Sequence, residues 1–272
     1  MNEFNSYFTT AIKASVLAGK EILGVYSEKT EVEFKKDNSP LTIADKLSHQ
    51  KISEFLLTTG LPVLSEEGKS IDYNERKNWK LFWMVDPLDG TKEFIKRNGE
   101  FTVNVALIKD GVPVMGVVYA PIMNVLYFGA ENFGSYKISA SVDDLILLTT
   151  GNIFLDSLIE KSLKLPVEKT NKNFTVVASR SHLSPETEIF INDLKTKHSE
   201  VDFISKGSSL KICLVAEGAA DIYPRLAPTM EWDTAAGQAI VLHAGKSVKL
   251  YKTNEAMKYN KENLLNEWFV VN

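Results

Sequence analysis

Asp86-Pro87-Leu88-Asp89-Gly90-Thr91 follows directly on Trp79–Val85, a run apolar but for Lys80. A run of that kind predicts a strand buried on both faces, ending at Asp86, where the first of two carboxylates three residues apart arrives. Pro87 and Gly90 fix a turn there, and Gly90 lets the backbone approach a ligand closely. A helix starting after the turn would aim the Gly90 and Thr91 amides at an anion. Converging carboxylates and amides are what a hard divalent cation bridging to a phosphate requires. The competing reading is an Asx-type turn that caps a helix.

On the N-terminal side, Phe4, Phe8, Ile12, Ser15, Ala18, Ile22 and Tyr26 recur three or four apart, one face of a long helix over 2–27. A second helix is expected from Leu41 to Thr58, stopped by Gly60 and Pro62, and Leu61–Leu64 reads as a short buried strand. On the C-terminal side, Phe101, Val103, Val105 and Leu107 alternate at strand period. Lys109-Asp110-Gly111 is a hairpin signal leading to Val112–Ala120, Val125–Ala130 and Ser135–Ile138, an antiparallel meander. Past residue 140, strands at Phe174–Ala178, Asp221–Pro224 and Ser247–Tyr251 alternate with helices at Pro185–Lys197, Ser208–Glu217 and Trp232–His243. Ser141–Lys172 is polar and reads as a boundary and variable loop. The expected organisation is an α+β half at 1–140, with long helices and an antiparallel sheet that carries the carboxylates, and a mixed α/β half at 141–272.

The 272 residues are 44 % hydrophobic and 24 % charged, a globular composition. Lys+Arg 31 against Asp+Glu 35 gives a net charge of −4. That balance argues against a broad nucleic-acid or membrane-binding face but not against a small basic pocket. Cys213 has no partner for an internal disulfide and lies in an apolar run, as a buried small hydrophobe does. No stretch reaches the roughly 18 apolar residues of a membrane span. The start, with Asn2 and Glu3, does not resemble a secretory signal. A cytoplasmic protein is expected.

Three further acidic sites accompany the hexapeptide. Ser65-Glu66-Glu67-Gly68 by itself is an ordinary solvated loop. Thr42-Ile43-Ala44-Asp45 puts an Asp in a first helical turn, where the helix dipole favours it. Trp232-Asp233-Thr234-Ala235-Ala236-Gly237 opens a late helix with a capping Asp. Their joint occurrence is the informative fact, and oxygen ligands without His or Cys clusters suit Mg²⁺ rather than Zn²⁺.

Glu66-Glu67, Asp86–Thr91 and Trp232–Gly237, in this order, resemble the magnesium-dependent, lithium-sensitive phosphatases of the inositol monophosphatase superfamily, over about Lys35 to Gly245. Asp37-Asn38-Ser39-Pro40-Leu41-Thr42, Gly207-Ser208-Ser209-Leu210-Lys211, Ala216–Gly218, Tyr223-Pro224-Arg225 and Pro228–Gly237 resemble its CysQ-type 3′(2′),5′-bisphosphate nucleotidases. The resemblance implies a layered αβαβα sandwich. It implies two or three Mg²⁺ ions held by Glu66, Asp86, Asp89, Asp233 and the Leu88 carbonyl. Catalysis would fall to Asp45, which polarises the Thr91 hydroxyl, and to Thr91 and Glu66, which orient an attacking water without a covalent enzyme intermediate. Gly90 and Thr91 amides would hold phosphate oxygens, with Leu88, Asp89 and Asp233 also at the substrate.

The shared carboxylates do not name the substrate. A second phosphate needs positive charge, for which Lys211 and Arg225 are the candidates, Arg offering a fork of donors. Ser208 and His182, within Ser179-Arg180-Ser181-His182, resemble nucleotide-contacting positions. The implied reaction is hydrolysis of the 3′-phosphate of adenosine 3′,5′-bisphosphate to AMP and phosphate, with 3′-phosphoadenylyl sulfate as a second substrate and a role in sulfur metabolism. The alternatives are an inositol monophosphatase, a sugar (bis)phosphate phosphatase, or a non-catalytic magnesium and nucleotide sensor. Aspartyl-phosphate phosphatases need two Asp two apart, whereas Asp86 and Asp89 are three apart. The expected partner is a small phosphorylated nucleotide, not a nucleic-acid polymer. The chain is expected as a monomer or homodimer, in the cytoplasm or peripheral on the cytoplasmic face of the inner membrane. His49 and His198 read as solvated, His243 as a helix-end residue, and Trp79, Trp83, Trp232 and Trp268 as packing residues.

Overall fold

The N-terminal helical spacing becomes α1 (Glu3–Tyr26), whose Phe8, Ile12 and Ile22 are fully buried. The computed structural model describes residues 3–27, 32–34, 40–150, 154–169, 173–178 and 184–272. After α1 come the antiparallel pair β1 (Val32–Phe34) and β2 (Pro40–Thr42), then α2 (Ile43–Leu56). α2 is shorter than the Leu41–Thr58 reading because Thr42 is its N-cap. The Thr42 hydroxyl accepts from the Ala44 amide and the Asp45 carboxylate accepts from the Thr42 amide, a capping box that fixes the first turn.

β3 (Val63–Ser65), the one-turn α3 (Tyr73–Arg76), β4 (Leu81–Asp89) and α4 (Thr91–Ile95) follow, then β5 (Thr102–Lys109), β6 (Val112–Ala120), β7 (Val125–Ala130) and β8 (Gly134–Ser139). β4 does not stop at Asp86. Its pairing with β5 slips after Asp86↔Asn104 and resumes at Asp89↔Thr102. Pro87, which has no N–H to donate, sits in that irregularity.

The expected variable loop over Ser141–Lys172 is a misreading in part. It holds α5 (Val142–Leu148), α6 (Phe154–Glu160) and β9 (Leu163–Leu165). The Ser141 hydroxyl caps α5 by accepting from the Asp144 amide, and Leu145, Leu158 and Leu165 reach the core. β9 pairs with β8, so the sheet of the first half runs past residue 140. The remainder is β10 (Phe174–Val177), α7 (Pro185–Lys197), β11 (Val201–Ile204), α8 (Leu210–Glu217), β12 (Tyr223–Arg225), α9 (Glu231–His243), β13 (Val248–Leu250) and β14 (Phe269–Val271). β11 and β14 were not anticipated. β11 pairs in parallel with β10, and β14 lies between β12 and β13.

Among the described residues, β3–β9 form a seven-stranded sheet in sequence order, antiparallel except for β3 beside β4. Side chains alternate across it. Trp83, Val85, Val103, Val105 and Val117 pack against α1 and α2, while Phe82, Met84, Ala106 and Val118 pack with Leu210, Ile212, Ala236 and Ile240 of α8 and α9. The β10–β11 and β12–β14–β13 sheets lie beyond α8 and α9, and α7 covers β10 through Val176, Ile191 and Leu194. The layers are therefore α, β, α, β, α. Cys213 is fully buried between sheet and helix, as expected. No helix among the described residues is long and apolar enough to cross a membrane.

α9 lies close against the large sheet at Gly116. A Cβ built there would sit 2.2 Å from the Ala236 carbonyl oxygen. Gly116→Ala is therefore expected to destabilise the protein by about 1–3 kcal/mol, measured by equilibrium denaturant unfolding; an unchanged midpoint would contradict this packing.

Candidate active site

Parallel pairing of β3 with β4 sets Ser65 beside Val85, and the Glu66 amide donates to the Val85 carbonyl at 3.1 Å. Glu66, one residue past β3, and Asp86, within β4, thus leave adjacent strands side by side. Asp233 arrives from the opposite layer, in the first turn of α9. Carboxylate oxygens of Glu66, Asp86 and Asp233 all lie within 4.8 Å of one another. Asp86 is only 2 % exposed.

Like charges brought together out of water resist ionisation. Burial first, then the charges of Glu66, Asp89, Asp233 and Asp45, holds the Asp86 carboxyl well above the usual range. Asp233 is pushed up to about 8 by burial and by Asp89, against the lowering hydrogen bond from the Met230 amide; Glu66 raises it further and Arg225 lowers it. A cluster of oxygen donors that raise one another's pKa in this way fits a divalent cation, whose charge would relieve the repulsion. Glu66, Asp86 and Asp233 are the residues able to hold it together.

The hexapeptide is both an Asx turn and part of this site. Asp86 Oδ1 accepts from the Leu88 amide at 3.1 Å. Gly90, at φ +94, is the N-cap of α4 and brings its amide and that of Thr91 to the helix start. The Thr91 hydroxyl lies 3.2 Å from Asp45 Oδ1 and 3.4 Å from the Leu88 carbonyl. Asp45 therefore serves twice: Oδ2 closes the capping box and Oδ1 faces Thr91.

Asp89 stands apart from the three-carboxylate cluster. Its Oδ2 accepts from the Ser208 hydroxyl (2.5 Å), the Ser209 amide (2.7 Å) and the Ser209 hydroxyl (2.8 Å). The Ser208 hydroxyl, expected at the substrate, donates here to Asp89. Beyond Asp89 opens a cleft of about 310 Å³, lined among others by Gly90, Lys206, Ser208, Lys211 and Arg225, a volume usual for a small-molecule site. Arg225 Nη2 donates to the Pro228 carbonyl at 2.8 Å, and its buried Nε has no hydrogen-bond partner among the described residues. The Lys211 ammonium donates to the Lys206 carbonyl at 3.3 Å, one of its three donors. His182 and the rest of Ser179-Arg180-Ser181-His182 lie outside the described residues, as does Asp37-Asn38-Ser39.

Several residues here were not foreseen. Lys206, paired with Glu100 at 3.3 Å, adds a cation to the cleft wall. His49 is not solvated: half-buried, it bonds the Ser65 hydroxyl at 2.9 Å, next to Glu66. Ser48 donates to the Pro87 carbonyl at 2.6 Å. Their spacing from Asp45, three and four residues on, is the signal that could have found them, since those positions share a helix face. His243 does not cap its helix end but bonds the Val114 carbonyl at 3.1 Å.

The elevated Asp233 has a consequence for pH. Its folded pKa of about 8 exceeds the ordinary 3.8. The metal-free fold is then favoured with the proton on, and that contribution is lost as pH rises through 8. A cation competes with that proton. The gap in melting temperature between magnesium-loaded and chelated protein should therefore widen from about pH 6.5 to 8; a gap that narrows would contradict the clustered arrangement.

Residues 5–268 match the inositol monophosphatase family. A Salmonella typhimurium protein named 3′(2′),5′-bisphosphate nucleotidase CysQ is 43 % identical over 258 residues, 93 % of this chain and 94 % of that one. The Haemophilus influenzae protein of the same name is 36 % identical over 258 residues, 93 % and 88 % of the two chains. The crystal structure of CysQ from Bacteroides thetaiotaomicron, described as a bacterial member of the inositol monophosphatase family, matches with a TM-score of 0.90 at 53 % identity, covering 100 % of this chain and 97 % of that one. With the αβαβα layering and the carboxylates from the end of β3, from β4 and from α9 meeting between the layers, this chain belongs to the inositol monophosphatase family.

Proposed function

We propose that this protein is a Mg²⁺-dependent 3′(2′),5′-bisphosphate nucleotidase that converts adenosine 3′,5′-bisphosphate to AMP and phosphate. The observation that carries the reading is one juxtaposition. An acidic cluster suited to a divalent cation adjoins, through Asp233, a cleft also lined by Lys206, Lys211 and Arg225. The identity of 43 % over 93 % of the chain to proteins named for that activity supports the same substrate class. On this reading 3′-phosphoadenylyl sulfate enters the same cleft, and the reaction serves sulfur metabolism.

Glu66, Asp86 and Asp233, with Asp89 and the Leu88 carbonyl, would hold magnesium, which would supply Lewis-acid polarisation of the phosphate and a more acidic water. The chain's own groups do the rest. Asp45 Oδ1 accepts the Thr91 proton, so the Thr91 oxygen is turned to accept from an attacking water. Glu66 fixes the second direction of that water. The amides of Gly90 and Thr91 hold phosphate oxygens, and Leu88, Asp89 and Asp233 border the same group. Arg225 and Lys211 meet the substrate's other phosphate, with Ser208 acting through Asp89 and His182 from the nucleotide side. On this reading residues 1–140 supply Asp45, Glu66, Asp86, Asp89 and Thr91, and residues 141–272 supply the substrate-selecting residues and the last metal ligand, Asp233.

In a phosphate-release assay, adenosine 3′,5′-bisphosphate should exceed inositol 1-phosphate by about tenfold or more in kcat/KM; the reverse order would make the protein an inositol monophosphatase. Arg225→Ala should cost the bisphosphate about tenfold more than a monophosphate, and equal losses would remove Arg225 from the second-phosphate role. Asp45→Asn should lower kcat by about a hundredfold with little change in KM, whereas wild-type turnover would take Asp45 out of the mechanism.

A further inference from the structure

Thr102, Asn104 and Ser209 are polar side chains only 0 %, 1 % and 2 % exposed, at the seam between β5 and the start of α8. Buried polar groups are retained where each finds a partner, and here the partners converge on one atom. The Thr102 hydroxyl lies 2.9 Å from Asn104 Oδ1 and 2.6 Å from Ser208 Oγ, and the Asp89 carboxylate, an acceptor, fixes the direction of the Asn104 amide. Asn104 Nδ2 then donates to Ser209 Oγ at 2.9 Å and reaches Asp89 Oδ2 at 3.4 Å. Since the Ser209 oxygen accepts from Asn104, its single proton is left for two acceptors, Asp89 Oδ2 at 2.8 Å and the Asp233 carbonyl at 2.6 Å. The Ser209 amide adds a third bond to Asp89 Oδ2.

We propose that Asn104 and Ser209 are positioning residues for the metal site: they pin Oδ2 of Asp89, leave Oδ1 as the oxygen available to a cation, and tie Asp89 to the main chain at Asp233. The inference rests on the reading of Asp89 and Asp233 as magnesium ligands. It assigns the Gly207-Ser208-Ser209 turn a task within the metal site, separate from any contact with substrate. Groups that orient a metal ligand govern affinity nearly as strongly as the ligand itself.

The test is calorimetric titration of magnesium chloride alone into metal-stripped wild type, Ser209→Ala, Ser209→Thr and Asn104→Ala, with thermal melts of each metal-free protein. Ser209→Ala should weaken magnesium about ten- to a hundredfold, with Ser209→Thr recovering most of the loss and Asn104→Ala moving the same way. The metal-free melts should change little. Wild-type affinity in Ser209→Ala overturns the assignment, as does a Ser209→Thr protein as weak as Ser209→Ala. So does a loss matched by collapse of the metal-free melt without rescue by Thr, because that marks a structural seam only. Should Ser209→Ala fail to fold, Asn104→Ala decides: reduced affinity supports the role, wild-type affinity removes it. A wild type that binds no magnesium overturns the metal reading as well, which separates the two failures.

Discussion

Carboxylates repel, and this fold holds Glu66, Asp86 and Asp233 with oxygens inside 4.8 Å of one another. Nothing in local propensity favours that arrangement. It persists because each acid is fixed by backbone geometry made elsewhere. Parallel pairing places Glu66 beside Asp86, and the capping bond from the Met230 amide holds Asp233 in the first turn of α9. Burial first, and the mutual repulsion of this grouping after it, raises the pKa values of Asp86 and Asp233. Its relief by a bound cation is the physical core of the proposed chemistry.

Two struts keep the acids in place from outside. α2 presents Asp45, Ser48 and His49 to Thr91, the Pro87 carbonyl and Ser65, so one helix face references both strand ends. On the other side, Arg76 donates to Asn260 Oδ1 and to the Lys261 and Glu262 carbonyls. The fully buried Glu231 accepts from the Asn260 and Lys261 amides and from the Lys261 ammonium. Residues 260–262 therefore join the segment after Glu66 to the start of α9, two residues from Asp233. The site is a closed set of tethers between layers rather than a patch on one element.

Much of this was legible in the chain. α1, the β5–β8 meander and α7 follow from hydrophobic period and turn residues, because in those stretches local pattern and tertiary demand agree. The Asp86–Thr91 junction showed both of its readings, and the structure makes it an Asx turn and a site component at once. In the misread stretch, 141–172, α5 and β9 each bury a single residue, Leu145 and Leu165, too sparse to stand out, whereas α6 buries Phe154, Leu155 and Leu158. β14 is three residues long and acquires its strand form only by lying between β12 and β13. Lys206, Asn104 and Ser209 matter through contacts with residues more than a hundred positions away, which no local spacing encodes. Asp89 shows the limit from the other side: its identity was readable, but not that its Oδ2 is already occupied.

The central claim is that Glu66, Asp86 and Asp233, from the end of β3, from β4 and from α9, share a cation. Anomalous diffraction from a manganese-soaked crystal tests it most directly, because manganese prefers the same oxygen donors as magnesium. The account predicts a peak within bonding distance of Glu66, Asp86 and Asp233 together. An ordered site with those three carboxylates and no peak, or a peak bound elsewhere on the surface, would contradict it.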